Sequence, residues 1–213
     1  MQRFLYHLIR VLIALGLIVL SPLSQAEDTQ PTILVLGDSI SAAYGMSLEQ
    51  GWVALLGHRL HEQGHKYEVI NASISGETTG GGLRRLPALL SEHQPSLLVL
   101  ELGANDGLRG FPLPNLQSNL ERMVGLAQES GAVVLLLPME VPPNYGARYT
   151  AGFRDSFIQV SEASGARLGP FPLIEVAITP ELMQDDGLHP TAAAQPIILD
   201  TVYPSIQQML EQQ

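Results

Sequence analysis

Short apolar runs alternate with amphipathic stretches along most of this chain, and each kind of run has its own period. The runs at 32–37, 67–71, 97–102 and 133–138 are brief, rich in Val, Ile and Leu, and end at or beside Gly, Asn or Pro. They are too short for helices and show little alternation of polar and apolar positions. All four predict strands, and the continuous apolar run from Ile33 to Leu36 predicts one buried in a parallel sheet. A weaker fifth strand is predicted at 166–168. Helical spacing of apolar positions appears at 50–63, 83–92, 116–130, 149–164 and 192–210. Pro196 and Pro204 lie in the last of these and predict a kink or break at each. Strand and helix alternating at this spacing predict right-handed βαβ units. The expected fold is α/β: a five-stranded parallel sheet with helices on both faces, in the flavodoxin-like strand order 2-1-3-4-5.

Ahead of the first strand the pattern changes. Arg3 and Arg10 precede an almost wholly apolar run from Val11 to Leu20, and Ser24-Gln25-Ala26 puts small residues where a signal peptidase reads. This three-part layout predicts a secretory signal peptide over 1–26 and a mature domain over 27–213, beginning at Glu27. The apolar run is short for a membrane span, which makes an uncleaved anchor the weaker alternative. The mature domain is expected in the periplasm or outside the cell, with no stable membrane anchor once the leader is cut.

Composition narrows the class. About 190 of the 213 residues follow the leader, enough for one domain with an ample core. The chain has no cysteine, which excludes a disulfide-stapled fold and acylation on cysteine. Its formal net charge is −10, and the leader holds two arginines and no acid, so the mature chain carries about −12. That balance argues against a nucleic-acid partner and offers no polybasic patch for anionic lipid.

Candidate chemistry gathers where strands end. In open α/β sheets, sites form at the carboxyl ends of the strands. The first strand ends in Gly37-Asp38-Ser39, which places the Ser39 hydroxyl at that edge. Taken alone, Gly-Asp-Ser is equally well a turn that closes a strand. The second strand is followed by Ser75-Gly76-Glu77, and then by Gly80-Gly81-Gly82, a flexible strand-to-helix loop on its plainest reading. A phosphate loop is not indicated, because no lysine follows the glycines. The third strand is followed by Gly103-Ala104-Asn105-Asp106, where Asn105 is either a turn cap or an amide donor into the crevice. Near the carboxyl end, Asp186 stands three residues before His189, which precedes Pro190. One turn of chain there lets the carboxylate hold the imidazole, leaving its other nitrogen free as a base.

Together these pieces form the parts list for acyl transfer. Ser39 is the candidate nucleophile, His189 the base and Asp186 the orienting acid. The backbone of Ser39 and Gly76 and the side chain of Asn105 are the candidate oxyanion donors. Ser41 replaces the second glycine of Gly-x-Ser-x-Gly, so the strained elbow of the α/β-hydrolases is not expected. Past Asn105, the apolar Leu108, Phe111, Leu113 and Leu116 are too many for a solvated loop. Gly110, Pro112 and Pro114 interrupt any single helix that would bury them all. Leu108, Phe111 and Leu113 are expected to form a mobile wall over an acyl chain, with Tyr145 in the wall opposite. Leu116 suits the core equally well.

The combination Gly37-Asp38-Ser39, Gly76, Gly103-x-Asn105-Asp106 and Asp186-x-x-His189 resembles the four sequence blocks of the SGNH hydrolases, also called GDSL lipases and esterases. Ala43-Tyr44-Gly45, Ile74-Ser75-Gly76-Glu77-Thr78, the stretch from Gly103 to Gly110, and Pro143-Asn144-Tyr145-Gly146 are similar to the bacterial thioesterase I/protease I/lysophospholipase (arylesterase) group within it. The resemblance spans nearly the whole mature chain. It implies a three-layer α/β/α sandwich and a periplasmic hydrolase of acyl esters and thioesters, without metal or cofactor. A monomer acting on small-molecule substrates is expected.

Two other functions compete. A carbohydrate O-acetylesterase uses the same chemistry, and a periplasmic binding protein with a dead site needs none of it. The intact set of Ser39, Gly76, Asn105 and His189 argues against the second. His58, His61 and His65 share a helix face but lack matching acids, so a solvent-facing row is expected rather than a metal site. Arg84 and Arg85 are expected on a helix surface, Trp52 in the core, and Asp38 as an organiser of the nucleophile loop.

Overall fold

The computed structural model describes residues 30–212, so the leader expected at 1–26 lies outside the described residues. Five parallel strands form one sheet in the order β2-β1-β3-β4-β5. They are β1 (Thr32–Gly37), β2 (Glu68–Asn71), β3 (Leu97–Glu101), β4 (Val133–Leu136) and β5 (Arg167–Leu168). Every residue of β1 and β3 is buried, as expected of apolar runs covered on both faces. In register, Ile33 pairs with Val69 on one side and Leu97 on the other. This aligns the carboxyl ends of β1 and β3, with Gly37 beside Glu101.

Helices cover both faces. They are α1 (Trp52–Glu62), α2 (Thr79–His93), α3 (Ala104–Leu108), α4 (Leu113–Glu129), α5 (Ala147–Ser164) and α6 (Gln195–Leu210). α1 and α6 pack on one another in one layer, and α4 packs between α2 and α5 in the other. This is the three-layer sandwich that the periodicity and the resemblance both imply. Among the described residues, no helix is long and apolar enough to cross a membrane.

Two local expectations need correction. The glycine run is not a loop. α2 starts at Thr79, so Gly80, Gly81 and Gly82 form its first turn, and the Thr78 hydroxyl accepts the Gly81 N–H at 3.2 Å. A Cβ at Gly82 would lie 2.4 Å from Leu102 Cδ1, so glycine lets the helix start close against the sheet. At the other end, neither proline breaks α6. Pro196 occupies the first turn, where its missing N–H has no helical partner to lose. Pro204 lies within the helix and costs about 3 kcal/mol. Ile198, Leu199, Val202 and Ile206 are buried on the same helix. Burial of each such side chain contributes about 1.5–3 kcal/mol, which outweighs one proline.

Candidate active site

The turn after β1 carries the nucleophile candidate. The Ala42 N–H donates to the Asp38 carbonyl at 2.9 Å and the Tyr44 N–H to the Ser39 carbonyl at 3.1 Å. The chain therefore coils at once, and Ser39 stays half-buried at the sheet edge. Its Oγ lies 2.9 Å from His189 Nε2. His189 Nδ1 lies 2.6 Å from Asp186 Oδ2. With the proton on Nδ1, the imidazole donates to Asp186 and its Nε2 accepts from the serine hydroxyl.

Asp186 is built to hold that imidazole. Its Oδ1 accepts the N–H groups of Leu188 at 2.9 Å and His189 at 3.0 Å, which leaves Oδ2 for the ring. The ring hydrogen bond, followed by these backbone donors, holds the Asp186 carboxyl down to about 2. The ring's carboxylate partner is thus Asp186, and among the described residues no such bond joins it to Asp185.

Gln184, which no sequence motif singles out, and Tyr44, which enters only through the resemblance, lock the histidine loop to the nucleophile turn. The Gln184 amide donates to the Tyr44 carbonyl and to the Pro190 carbonyl, each at 2.9 Å. The Tyr44 ring lies over His189, with centroids 4.3 Å apart and planes at 35°. Both contacts join segments about 140 residues apart, so no local pattern announces them.

The oxyanion candidates surround the same edge. Asn105 sits in the first turn of α3, and its amide donates to Asp38 Oδ2 at 3.1 Å. One of its two N–H groups is thus fixed and the other remains for a ligand. Asp38 is almost fully buried and also accepts the Ile40 N–H at 3.1 Å. Burial pushes its carboxyl up to about 6, against the pull of Ile40 and Asn105. Gly76 lies on an exposed turn with φ at +79°, and its carbonyl accepts from Arg109 at 3.1 Å. Among the described residues, neither the Ser39 N–H nor the Gly76 N–H has a protein acceptor. The next residue along, Asp106, anchors the start of α2 by accepting the Thr79 N–H at 2.8 Å and its hydroxyl at 2.6 Å. Asn105 and the loop bearing Gly76 are thereby held in one frame.

A cavity of about 190 Å³ opens beside Ser39, Asn105 and His189. Leu108 lines it, together with Ile40, Met139, Pro142, Phe171, Leu173 and Leu188. Phe111, Leu113 and Tyr145 do not. Leu113 and Tyr145 line a second, more open depression of about 460 Å³ with Tyr149. Leu116 is core. The Tyr145 hydroxyl donates to the Leu108 carbonyl at 2.8 Å and the Tyr149 hydroxyl to the Phe111 carbonyl at 2.9 Å. Two phenols therefore tie the 108–111 loop to the wall opposite.

The remaining polar candidates stand apart from this edge. His58 and His61 are exposed on α1, and among the described residues no three potential metal ligands converge. Arg85 is not a plain surface residue: it pairs with Glu77 at 2.8 Å and donates to the Ala72 carbonyl at 3.0 Å. Trp52 is fully buried.

A flavodoxin-ordered sheet with this serine, histidine and aspartate at its carboxyl edge defines a serine ester hydrolase of the SGNH type. The sequence model of the GDSL-like Lipase/Acylhydrolase family matches residues 35–196, and the chain belongs to that family. It is 49% identical over 201 residues to "Esterase TesA" of Pseudomonas aeruginosa, covering 94% of this chain and 100% of that one. It is 50% identical over 188 residues to "Arylesterase" of Vibrio mimicus, covering 88% and 94%. With "Thioesterase 1/protease 1/lysophospholipase L1" of Escherichia coli K12 it shares 41% over 196 residues, covering 92% and 91%. Among solved structures, the psychrotrophic esterase EstA from Pseudoalteromonas sp., inhibited by monoethylphosphonate, superposes with a TM-score of 0.82 at 49% identity. That match covers 84% of this chain and 98% of that one.

Proposed function

We propose that this protein is an exported, monomeric serine hydrolase that cleaves fatty-acyl esters and thioesters through an acyl-enzyme on Ser39. The observation that carries the reading is the continuous hydrogen-bonded chain from Ser39 through His189 to Asp186 beside an apolar-walled cavity. Ser39 Oγ attacks the acyl carbon while its proton passes to His189 Nε2. Asp186 stabilises the imidazolium that forms. The Ser39 and Gly76 N–H groups and the free N–H of Asn105 receive the oxyanion. Collapse expels the alcohol or thiol, which takes the proton from His189. Water then enters, gives a proton to His189 Nε2 as its oxygen bonds the acyl carbon, and the bond to Ser39 Oγ breaks as Oγ takes that proton back, releasing the carboxylic acid. The names of the relatives, esterase, arylesterase and thioesterase, support both leaving groups.

Substrate choice follows from the walls. Leu108, Leu173 and Leu188 around Ser39 suit an alkyl chain; Leu113 and Tyr145 line a separate depression, and the exposed Phe111 lies on the loop that follows Leu108. Each methylene buried contributes up to about 0.8 kcal/mol. kcat/KM is expected to climb with acyl length until the groove is full, with acetyl esters poor substrates. Phe111→Ser or Leu113→Ser is expected to flatten the climb and leave short esters nearly untouched. A panel of p-nitrophenyl esters of rising length, run beside acetylated sugars, measures this. An optimum at acetyl with sugars preferred would make the protein a carbohydrate O-acetylesterase instead.

Export is tested separately. The protein secreted by a Gram-negative host is expected to begin at Glu27 by intact mass. A membrane-bound chain that still carries Arg10 would establish an uncleaved anchor.

A further inference from the structure

A second carboxyl group lies beneath the nucleophile turn and takes no part in the triad. Glu101 ends β3 and is fully buried. Two donors converge on its Oε2: the Asp38 N–H at 3.3 Å and the Ser41 hydroxyl at 2.7 Å. Ser41 in turn accepts the Trp52 indole N–H at 3.2 Å. Glu101 Oε1 is buried and has no partner among the described residues. A Cβ at Gly37 would lie 2.6 Å from Oε2, so glycine at that position makes room for the carboxyl.

The asymmetry is informative. A carboxylate spreads its charge over both oxygens and would bury one of them with no donor, at high cost. A carboxylic acid costs less there: its carbonyl oxygen sits at Oε2 under two donors, and the group left unpaired at Oε1 is an uncharged hydroxyl rather than half of a charge. We infer that Glu101 is a neutral carboxylic acid and a positioning residue for the nucleophile turn. It fixes the backbone at Asp38 and the side chain of Ser41. By staying uncharged it leaves the negative charge to Asp38, whose carboxylate aims the Asn105 amide and the Ile40 N–H.

The surroundings agree. Burial, and then the charge of Asp38, drive the Glu101 carboxyl well above its ordinary range. Asp38 is the titratable group that acts on it from the nucleophile turn, and His189 acts in turn on Asp38. From α1 comes the neutral Trp52, whose indole N–H donates to Ser41 and whose backbone N–H donates to the side-chain oxygen of the neutral Gln195 of α6 at 2.9 Å. Ionising Glu101 would set two buried negative charges side by side under Ser39. Turnover is therefore expected to fall on the alkaline side as Glu101 loses its proton.

The inference rests on Asn105 as an oxyanion donor, and the test separates the two. The mature protein is compared with its Glu101→Gln, Glu101→Leu and Asn105→Ala variants. Glutamine presents a carbonyl oxygen and an uncharged NH₂ in the same places at every pH. The infrared spectrum of the wild type at neutral pH, minus that of Glu101→Gln, is expected to show the C=O stretch of a protonated carboxyl. Glu101→Gln is expected to keep most of kcat and to lack the alkaline fall. Glu101→Leu is expected to lose up to about 100-fold in kcat with little change in KM. Absence of the infrared band, or a folded Glu101→Gln as impaired as Glu101→Leu, overturns the inference. If Glu101→Leu does not fold, the infrared band and the Glu101→Gln profile decide. Full kcat in Asn105→Ala contradicts the oxyanion reading itself. A normal loss there without the infrared band overturns only the role of Glu101.

Discussion

Ser39→Ala is expected to lower kcat by roughly 10⁶-fold while leaving the fold intact. The size follows from the chemistry, because without Oγ no acyl-enzyme forms and only binding and oxyanion stabilisation remain. The intact fold follows from the packing. Ser39 is half-buried and its hydroxyl hydrogen-bonds the His189 ring, whereas the turn itself is held by backbone hydrogen bonds and by Asp38. Steady-state rates on a p-nitrophenyl ester, with urea unfolding of both proteins, measure the two halves of the claim. A folded variant that keeps most of its activity would contradict the role given to Ser39.

The second large effect belongs to the base and its partner. His189→Ala removes the proton acceptor, and Asp186→Asn is expected to cost about 10⁴-fold in kcat. An asparagine amide in place of Oδ2 cannot accept the Nδ1 proton in the same way, so the tautomer that leaves Nε2 free is lost. The pH profile carries further information. His189 must be neutral to act as base, so activity falls in acid. Asp186, held down to about 2, keeps its charge across that fall and does not shape it. Asp38 does, because its carboxyl is pushed up to about 6. As pH drops through that value Asp38 gains a proton, and the Asn105 amide loses its charged acceptor. An unchanged rate in Asp186→Asn would move the orienting role elsewhere.

The parts of the molecule legible from sequence are those encoded locally. β1 and β3 announced themselves because strands buried on both faces need unbroken apolar runs. Asp186 and His189 announced themselves because an aspartate three residues ahead can reach both the backbone and the ring within one turn. The meeting of Ser39 with His189 spans 150 positions; the rule that sites form at the carboxyl ends of strands made it a candidate, and the resemblance to a family strengthened it. Other features were hidden because their causes are tertiary. The glycine run reads as a loop until Leu102 is seen packed against it. Pro204 reads as a break until the buried face of α6 is weighed against it. Tyr44, Gln184 and Glu101 acquire meaning only when segments distant in sequence close on the nucleophile turn. Phe171 and Leu173 reach the cavity from a stretch whose composition marks no site.

The proposed mechanism passes through a covalent intermediate on Ser39, which acid quenching can trap. The Asp186→Asn variant, slowed in deacylation as well as acylation, is mixed with a p-nitrophenyl ester, quenched in acid, digested and mapped by mass spectrometry. The account predicts one acyl adduct on the peptide that contains Ser39, and none when Ser39→Ala is added to the same chain. An adduct on another residue, or turnover in the double variant equal to that of Asp186→Asn alone, would contradict it.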